Sequence, residues 1–168
     1  MEQEGVIDTF EFLEQKVYLP EYMTLFKADY DKNGGTFEFN LKEPKVTRGS
    51  FVNYFTPRGL HICVSQAGYA LIENLAKEGQ LEDMDIQTLR NVLLQGRVKI
   101  IELYQKFRKE IGLSKPIQGR FDISRLRLGR TPVLKLEFDF GNRAVNGNLV
   151  SIIAKRPTVQ LNQYALRT

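Results

Sequence analysis

The sequence predicts an α+β fold in which one antiparallel sheet wraps a long central helix. Residues 57–77 are marked at both ends as a helix and are apolar on all sides rather than along one stripe. Segments that alternate polar and apolar residues, bounded by turn chemistry, lie on either side of it. The order of these parts, two strands, a buried helix and then longer strands, suits one sheet curled around one helix rather than a series of strand–helix alternations.

The helix carries its own boundaries. Thr56 is an N-cap residue, Pro57 stands at the first helical position where the N–H would lack a partner anyway, and Gly79 can close the far end in the left-handed conformation. From Leu60 to Ile72 apolar residues fall on every side, so nothing in the first three turns is expected to face water. At about 1.5 Å per residue the helix is roughly 30 Å long and needs a sheet of similar length.

Along the chain, Asp8 can cap a short helix through Phe10, Leu13 and Val17 that Pro20 stops, although Phe10-Glu11-Phe12-Leu13 also alternates as a strand would. Met23 to Asp31 and Thr36 to Leu41 alternate with period two around the hairpin signal Lys32-Asn33-Gly34-Gly35. A loop with Pro44 and Gly49 follows, then the short extended link Phe51 to Phe55, a lip at the helix start. After the helix, Asp83 or Asp85 caps a second helix through Ile86, Leu89, Val92 and Leu93, ending near Gln95-Gly96 and lying outside the sheet. Val98 to about Phe107, Gly119 to Arg127, Pro132 to Phe140 and Gly147 to Lys155 read as strands, the third alternating most clearly. Residues 1–20 form an N-terminal helical segment, residues 157–168 a C-terminal tail, and the whole of 1–168 a single domain.

Composition bounds the function. With 168 residues, 42% of them hydrophobic, one real core is expected. No run approaches the roughly 18 apolar residues of a membrane span, and Met1-Glu2-Gln3-Glu4 is acidic where a signal peptide is basic, so a cytoplasmic protein is expected. The single cysteine, Cys63, lies in the buried helix and reads as a core thiol, and the single histidine, His61, excludes a multi-histidine metal centre. A net charge of +4 with pI near 9.2 suits an acidic or phosphorylated partner, although most of the basic residues read as a solvated surface; no nucleic acid is expected.

The run Phe51-Val52-Asn53-Tyr54-Phe55-Thr56-Pro57-Arg58-Gly59-Leu60, where strand, loop and helix meet, resembles the approach to the central helix in hotdog thioesterases and hydroxyacyl-carrier-protein dehydratases. Together with Tyr54-Phe55, Cys63 to Tyr69, and the run from Phe107-Arg108-Lys109 to Leu134-Lys135-Leu136-Glu137-Phe138, it is similar to the FcoT-like long-chain fatty acyl-CoA thioesterases over most of positions 20–155. The resemblance implies a single hotdog domain, at least a homodimer and possible as a trimer of dimers, with a site between subunits. It also implies an acyl-CoA or acyl-carrier-protein substrate and no cofactor beyond the coenzyme A or phosphopantetheine the substrate carries.

The chain departs from the dehydratases. They place a histidine before the helix and a carboxylate on it, because moving a proton from carbon to a leaving hydroxyl needs a base and an acid. Here Tyr54 stands at the first position and the first helix carboxylate is Glu73, more than four turns in. The carboxylate that many hotdog thioesterases use is missing too, so water activation would be neutral. The resemblance to FcoT-like enzymes points to Tyr54, Thr56, Ser65 and Gln66, with Ser65 where that family has asparagine.

The helix start suits acyl transfer on physical grounds. N–H groups at Arg58, Gly59 and Leu60 together with the helix dipole would polarise a thioester carbonyl, and Gly59 permits close approach. His61, Ser65, Gly68 and Ile72 share a face, along which two small residues leave a groove for an acyl chain. We therefore expect Tyr54, His61, Ser65 and Gln66 as catalytic candidates and Asn53, Thr56, Arg58, Gly59, Leu60 and Gly68 as substrate-binding ones. Plainer readings stand beside these: Ser65 as a small packing residue, His61 as a satisfied core histidine, Tyr54 as a core aromatic, and Gln66 as a buried amide in need of a partner. Arg58, Arg125, Arg127, Arg130, Lys155 and Arg156 could meet carrier phosphates, though each alone reads as solvated. Hydrolysis of a long-chain acyl-CoA or acyl-carrier-protein thioester is the expected activity. The alternatives are a dehydratase, lyase or Michael-addition reaction on an unsaturated acyl carrier protein in lipid or lipopeptide biosynthesis, and non-catalytic acyl binding.

Overall fold

The computed structural model describes residues 8–41, 54–81 and 84–154; the expectations for residues 1–7, for Asn53 and the lip before Tyr54, for the candidate cap Asp83, and for Lys155, Arg156 and the tail lie outside them. Asp8 caps a single turn, α1 (Thr9–Phe12), by accepting from Phe10 N–H, and the turn widens into a π-helical stretch, Leu13–Val17. A 3₁₀ turn, Pro20–Tyr22, leads into the hairpin β1 (Leu25–Asp31) and β2 (Gly34–Phe39). The central helix α2 (Pro57–Lys77) is capped by Thr56, and Gly79 has the expected left-handed φ of 69°. Asp85 caps α3 (Ile86–Leu94) through Thr88 N–H. Four strands follow: β3 (Val98–Phe107), β4 (Ile117–Arg127), β5 (Val133–Phe140) and β6 (Val145–Ile153).

All six strands form one antiparallel sheet in the order β1-β2-β4-β5-β6-β3. Along β5 the inward residues Leu134, Leu136, Phe138 and Phe140 are buried, as their alternation predicts. The last strands differ from expectation at their glycines. Gly119 and Gly147 read as strand starts, yet β4 and β6 begin two residues earlier. Both glycines sit inside the ladder because a neighbour occupies their side-chain space: a Cβ would stand 2.5 Å from the Phe140 ring at position 119 and 2.0 Å from the Tyr104 carbonyl at position 147.

The core is built on phenylalanine. Phe121 lies edge-on to Phe37 at 5.3 Å and to Phe140 at 5.6 Å, and Phe55, just before α2, packs 5.1 Å from Phe140. That contact pins the helix start to the sheet. Cys63 is a buried thiol, as expected. Further along α2, Glu73 is fully buried and ion-paired to Arg90 of α3, which joins the two helices. Among the described residues no helix is long and apolar enough to cross a membrane.

One expectation about α2 is corrected. Its first three turns are not wholly enclosed: Arg58 and His61 are exposed, and Ile62, Ser65 and Tyr69 are half-buried. The sheet covers one side of the helix, and the N-terminal segment with α3 packs on its later turns, so a stripe at spacings of three and four residues stays open.

Candidate active site

The start of α2 holds fewer free donors than the sequence suggests. Thr56 Oγ1 accepts from Gly59 N–H at 3.2 Å and the Thr56 carbonyl accepts from Leu60 N–H at 2.9 Å. Pro57 has no N–H, which leaves Arg58 N–H as the first-turn amide without a partner among the described residues. The three donors expected there reduce to one, because the capping threonine serves the backbone. Gly59 and Leu60 are buried and carry the helix onto the sheet.

Tyr54 is 47% exposed, so it is not a core aromatic. It makes an antiparallel bridge with Gly112, and Phe55 N–H donates to the Ile111 carbonyl at 2.8 Å. This pairing lays the 110–112 segment beside the approach to α2 and brings exposed Glu110 to the helix start, a carboxylate that local sequence around Tyr54 gives no sign of.

His61, Ser65 and Tyr69 follow Arg58 along the open stripe. His61 is exposed and is not a core histidine. The Ser65 hydroxyl has no partner among the described residues. Tyr69, four residues after Ser65, is not among the candidates the sequence points to; its ring stands 6.2 Å from Tyr18 and burial pushes its hydroxyl pKa up, so it stays a neutral donor through physiological pH. Seven residues of helix, about 10 Å, separate Arg58 from Ser65, so within one chain these two do not meet on a single atom. Ser65 and Gly68 instead face Ile100, Leu136 and Leu149 across an apolar seam whose free volume is about 10 Å³, room for roughly one water. The expected groove is thus closed, with slack at Gly68, where a Cβ would touch nothing within 4 Å.

Gln66 leaves the list of catalytic candidates. It is fully buried, its Oε1 accepts from Thr24 N–H at 3.1 Å, Thr24 Oγ1–H at 2.9 Å and Leu25 N–H at 2.8 Å, and its Nε2 donates to the Tyr22 carbonyl at 2.7 Å. The amide ties the approach to β1 onto α2, so it is not available to orient water. The arginines separate too: Phe140, beside Phe55, pairs with Gly119, and Arg127 stands eight residues further along β4, about 25 Å away. Arg125, Arg127 and Arg130 therefore do not join Arg58 in one chain.

No protein-family model matches the chain, and no curated protein matches its sequence. Twelve solved chains match its structure. Among them is the crystal structure of a "putative thioesterase" from Syntrophus aciditrophicus SB, 14% identical, with a TM-score of 0.50, covering 85% of this chain and 91% of that one. The fold is a hotdog. Its sheet and central helix bring Tyr54, Arg58 N–H and the 110–112 segment to one end of the domain, and leave His61, Ser65 and Tyr69 in line along the helix surface.

Proposed function

We infer that the protein hydrolyses an acyl thioester, with a long-chain acyl group on coenzyme A or an acyl carrier protein as substrate and no separate cofactor. The observation that carries this reading is the Arg58 N–H, without a partner among the described residues, at the positive end of a 21-residue helix, beside exposed Tyr54. A thioester carbonyl seated there is polarised, and the oxyanion that forms when water attacks is stabilised. The carbon–sulfur bond then breaks, and the leaving thiolate takes up the proton that the water gives away. Within one chain the neutral hydroxyl of Tyr54 is the one beside that carbonyl; the hydroxyls of Ser65 and Tyr69 reach it only from the helix stripe of a second copy, where they orient the water and line the approach of the acyl chain. The hotdog likeness to a chain called a thioesterase agrees with this reading. Glu73 is committed to Arg90 and Thr9, which withdraws the helix carboxylate from any dehydratase or lyase chemistry.

Tyr54→Phe and Ser65→Ala are each expected to lower turnover by roughly ten- to a thousandfold while changing stability by no more than about 1 kcal/mol. A panel of acyl-CoAs and acyl carrier proteins, read for free thiol and for changed acyl mass, checks this. Wild-type turnover in both variants makes these hydroxyls bystanders. An altered acyl mass without thiol release means a lyase or addition enzyme, and binding without either means an acyl-binding protein.

The site is completed in a homodimer paired along β3. That strand is a sheet edge of ten residues and exposes Ile101, Tyr104 and Phe107, whereas the opposite edge, β1, carries a bulge at Phe26 and the charged Lys27 and Asp29. Isologous pairing of β3 with its copy would bring two helix stripes toward one another. Ile101→Asp with Tyr104→Lys is expected to convert the dimer to monomer in sedimentation at micromolar concentration; a wild-type monomer at that concentration sinks the idea.

A further inference from the structure

Apart from the ion cluster around Glu73, Gln105 Oε1 is the only buried side-chain polar atom among the described residues without a hydrogen-bond partner. Gln105 lies on β3 opposite Gly147, on the strand face it shares with Leu103 and Phe107. That face looks at α2: Leu103 packs on the core and the Phe107 ring stands 6.4 Å from Phe55. Further back, Ile100 on the same strand lines the seam with Ser65 and Ile72, so α2 runs along β3 from its Phe107 end toward its Ile100 end. Gln105, about 7 Å from Phe107 along the strand, therefore lies beneath the first turns of the helix. Leu103 and Phe107 beside it on the strand, and the Phe138 ring that leans over Gly147 opposite, are all apolar. A buried carbonyl without a donor is unfavourable, and it lowers stability unless something bound supplies one.

Of the groups a thioester brings to the helix start, the acyl chain has no donor, but the carrier arm has one two methylenes from the sulfur. We propose that Gln105 Oε1 accepts a hydrogen bond from the cysteamine amide N–H of a pantetheine-linked substrate, so that this residue selects such thioesters over those lacking the N–H. The proposal rests on the reading of the protein as one that acts on acyl thioesters, and it adds the residue that reads the carrier arm. A site built to hydrogen-bond a substrate N–H discriminates strongly against the analogue without it, because the buried partner is then left bare.

The test compares the decanoyl thioester of N-acetylcysteamine with that of 2-mercaptoethyl acetate, in which an ester oxygen replaces the N–H. The wild type is expected to favour the amide substrate by about tenfold or more in kcat/KM. Gln105→Met, which keeps the shape and loses the acceptor, brings the ratio close to one, and Gln105→Glu, which keeps an acceptor, retains the preference. Equal rates on the two substrates in the wild type, or an unchanged ratio in Gln105→Met, overturns the proposal. If no thioester is cleaved, it is the hydrolase reading that fails, and the proposal is then read from binding of the uncleavable S-decyl thioethers of the same two thiols by titration calorimetry. The amide thioether should bind the wild type about tenfold more tightly and Gln105→Met equally with its counterpart; equal binding to the wild type overturns it.

Discussion

Glu73→Ala is expected to lower the stability of the protein by roughly 3–5 kcal/mol, the cost of leaving a buried charge without its partner. Glu73 and Arg90 are 0% and 5% exposed, and Arg90 Nη2 donates to Glu73 Oε1 at 2.6 Å. Thr9 Oγ1 donates to the same oxygen at 2.8 Å and Lys77 Nζ stands 3.5 Å from it. The Arg90 guanidinium also lies 4.5 Å above the Phe12 ring, so one carboxylate gathers the N-terminal segment, α2 and α3. For a chain of this length the loss moves Tm down by roughly 6–20 °C. Arg90→Met is expected to be as damaging, while Glu73→Leu combined with Arg90→Met should lie closer to wild type than either single change, because two apolar side chains can replace a buried pair. Urea unfolding of the four proteins checks this. Single variants within about 1 kcal/mol of wild type would mean that the pair is solvated rather than buried.

Gln66→Leu should be comparably destabilising, by about 3–5 kcal/mol, because it strips partners from two buried backbone N–H groups, the Thr24 hydroxyl and the Tyr22 carbonyl at once. Its effect on turnover, per folded molecule, should be small. The contrast with Ser65→Ala and Tyr54→Phe, which are expected to lose rate and keep stability, separates structural from chemical roles along α2 and its approach. Lost turnover in a Gln66→Leu protein that melts like wild type would return Gln66 to the chemistry.

Local chemistry alone determined the helix and strands of this protein. Thr56, Pro57 and Gly79 mark α2 because capping, proline placement and left-handed closure depend on residues within one turn of each end. Asp85 starts α3, and period-two alternation reveals β5, for the same reason. Local chemistry also made Gln66 a residue in need of a partner, without saying which. Tertiary structure decided the rest. It committed Gln66 to the approach of β1 and Glu73 to α3, turned two glycines from strand starts into points of close approach, and kept Arg125, Arg127 and Arg130 far from Arg58. It also opened one stripe of a helix that is apolar all round, and set Gln105 and the 110–112 segment beside the helix start. The physical reason is separation along the chain: partners such as Glu73 and Arg90, 17 positions apart, or Gln66 and Thr24, 42 apart, meet only when the elements pack together, and no periodicity within one segment records which buried polar group will find a partner there.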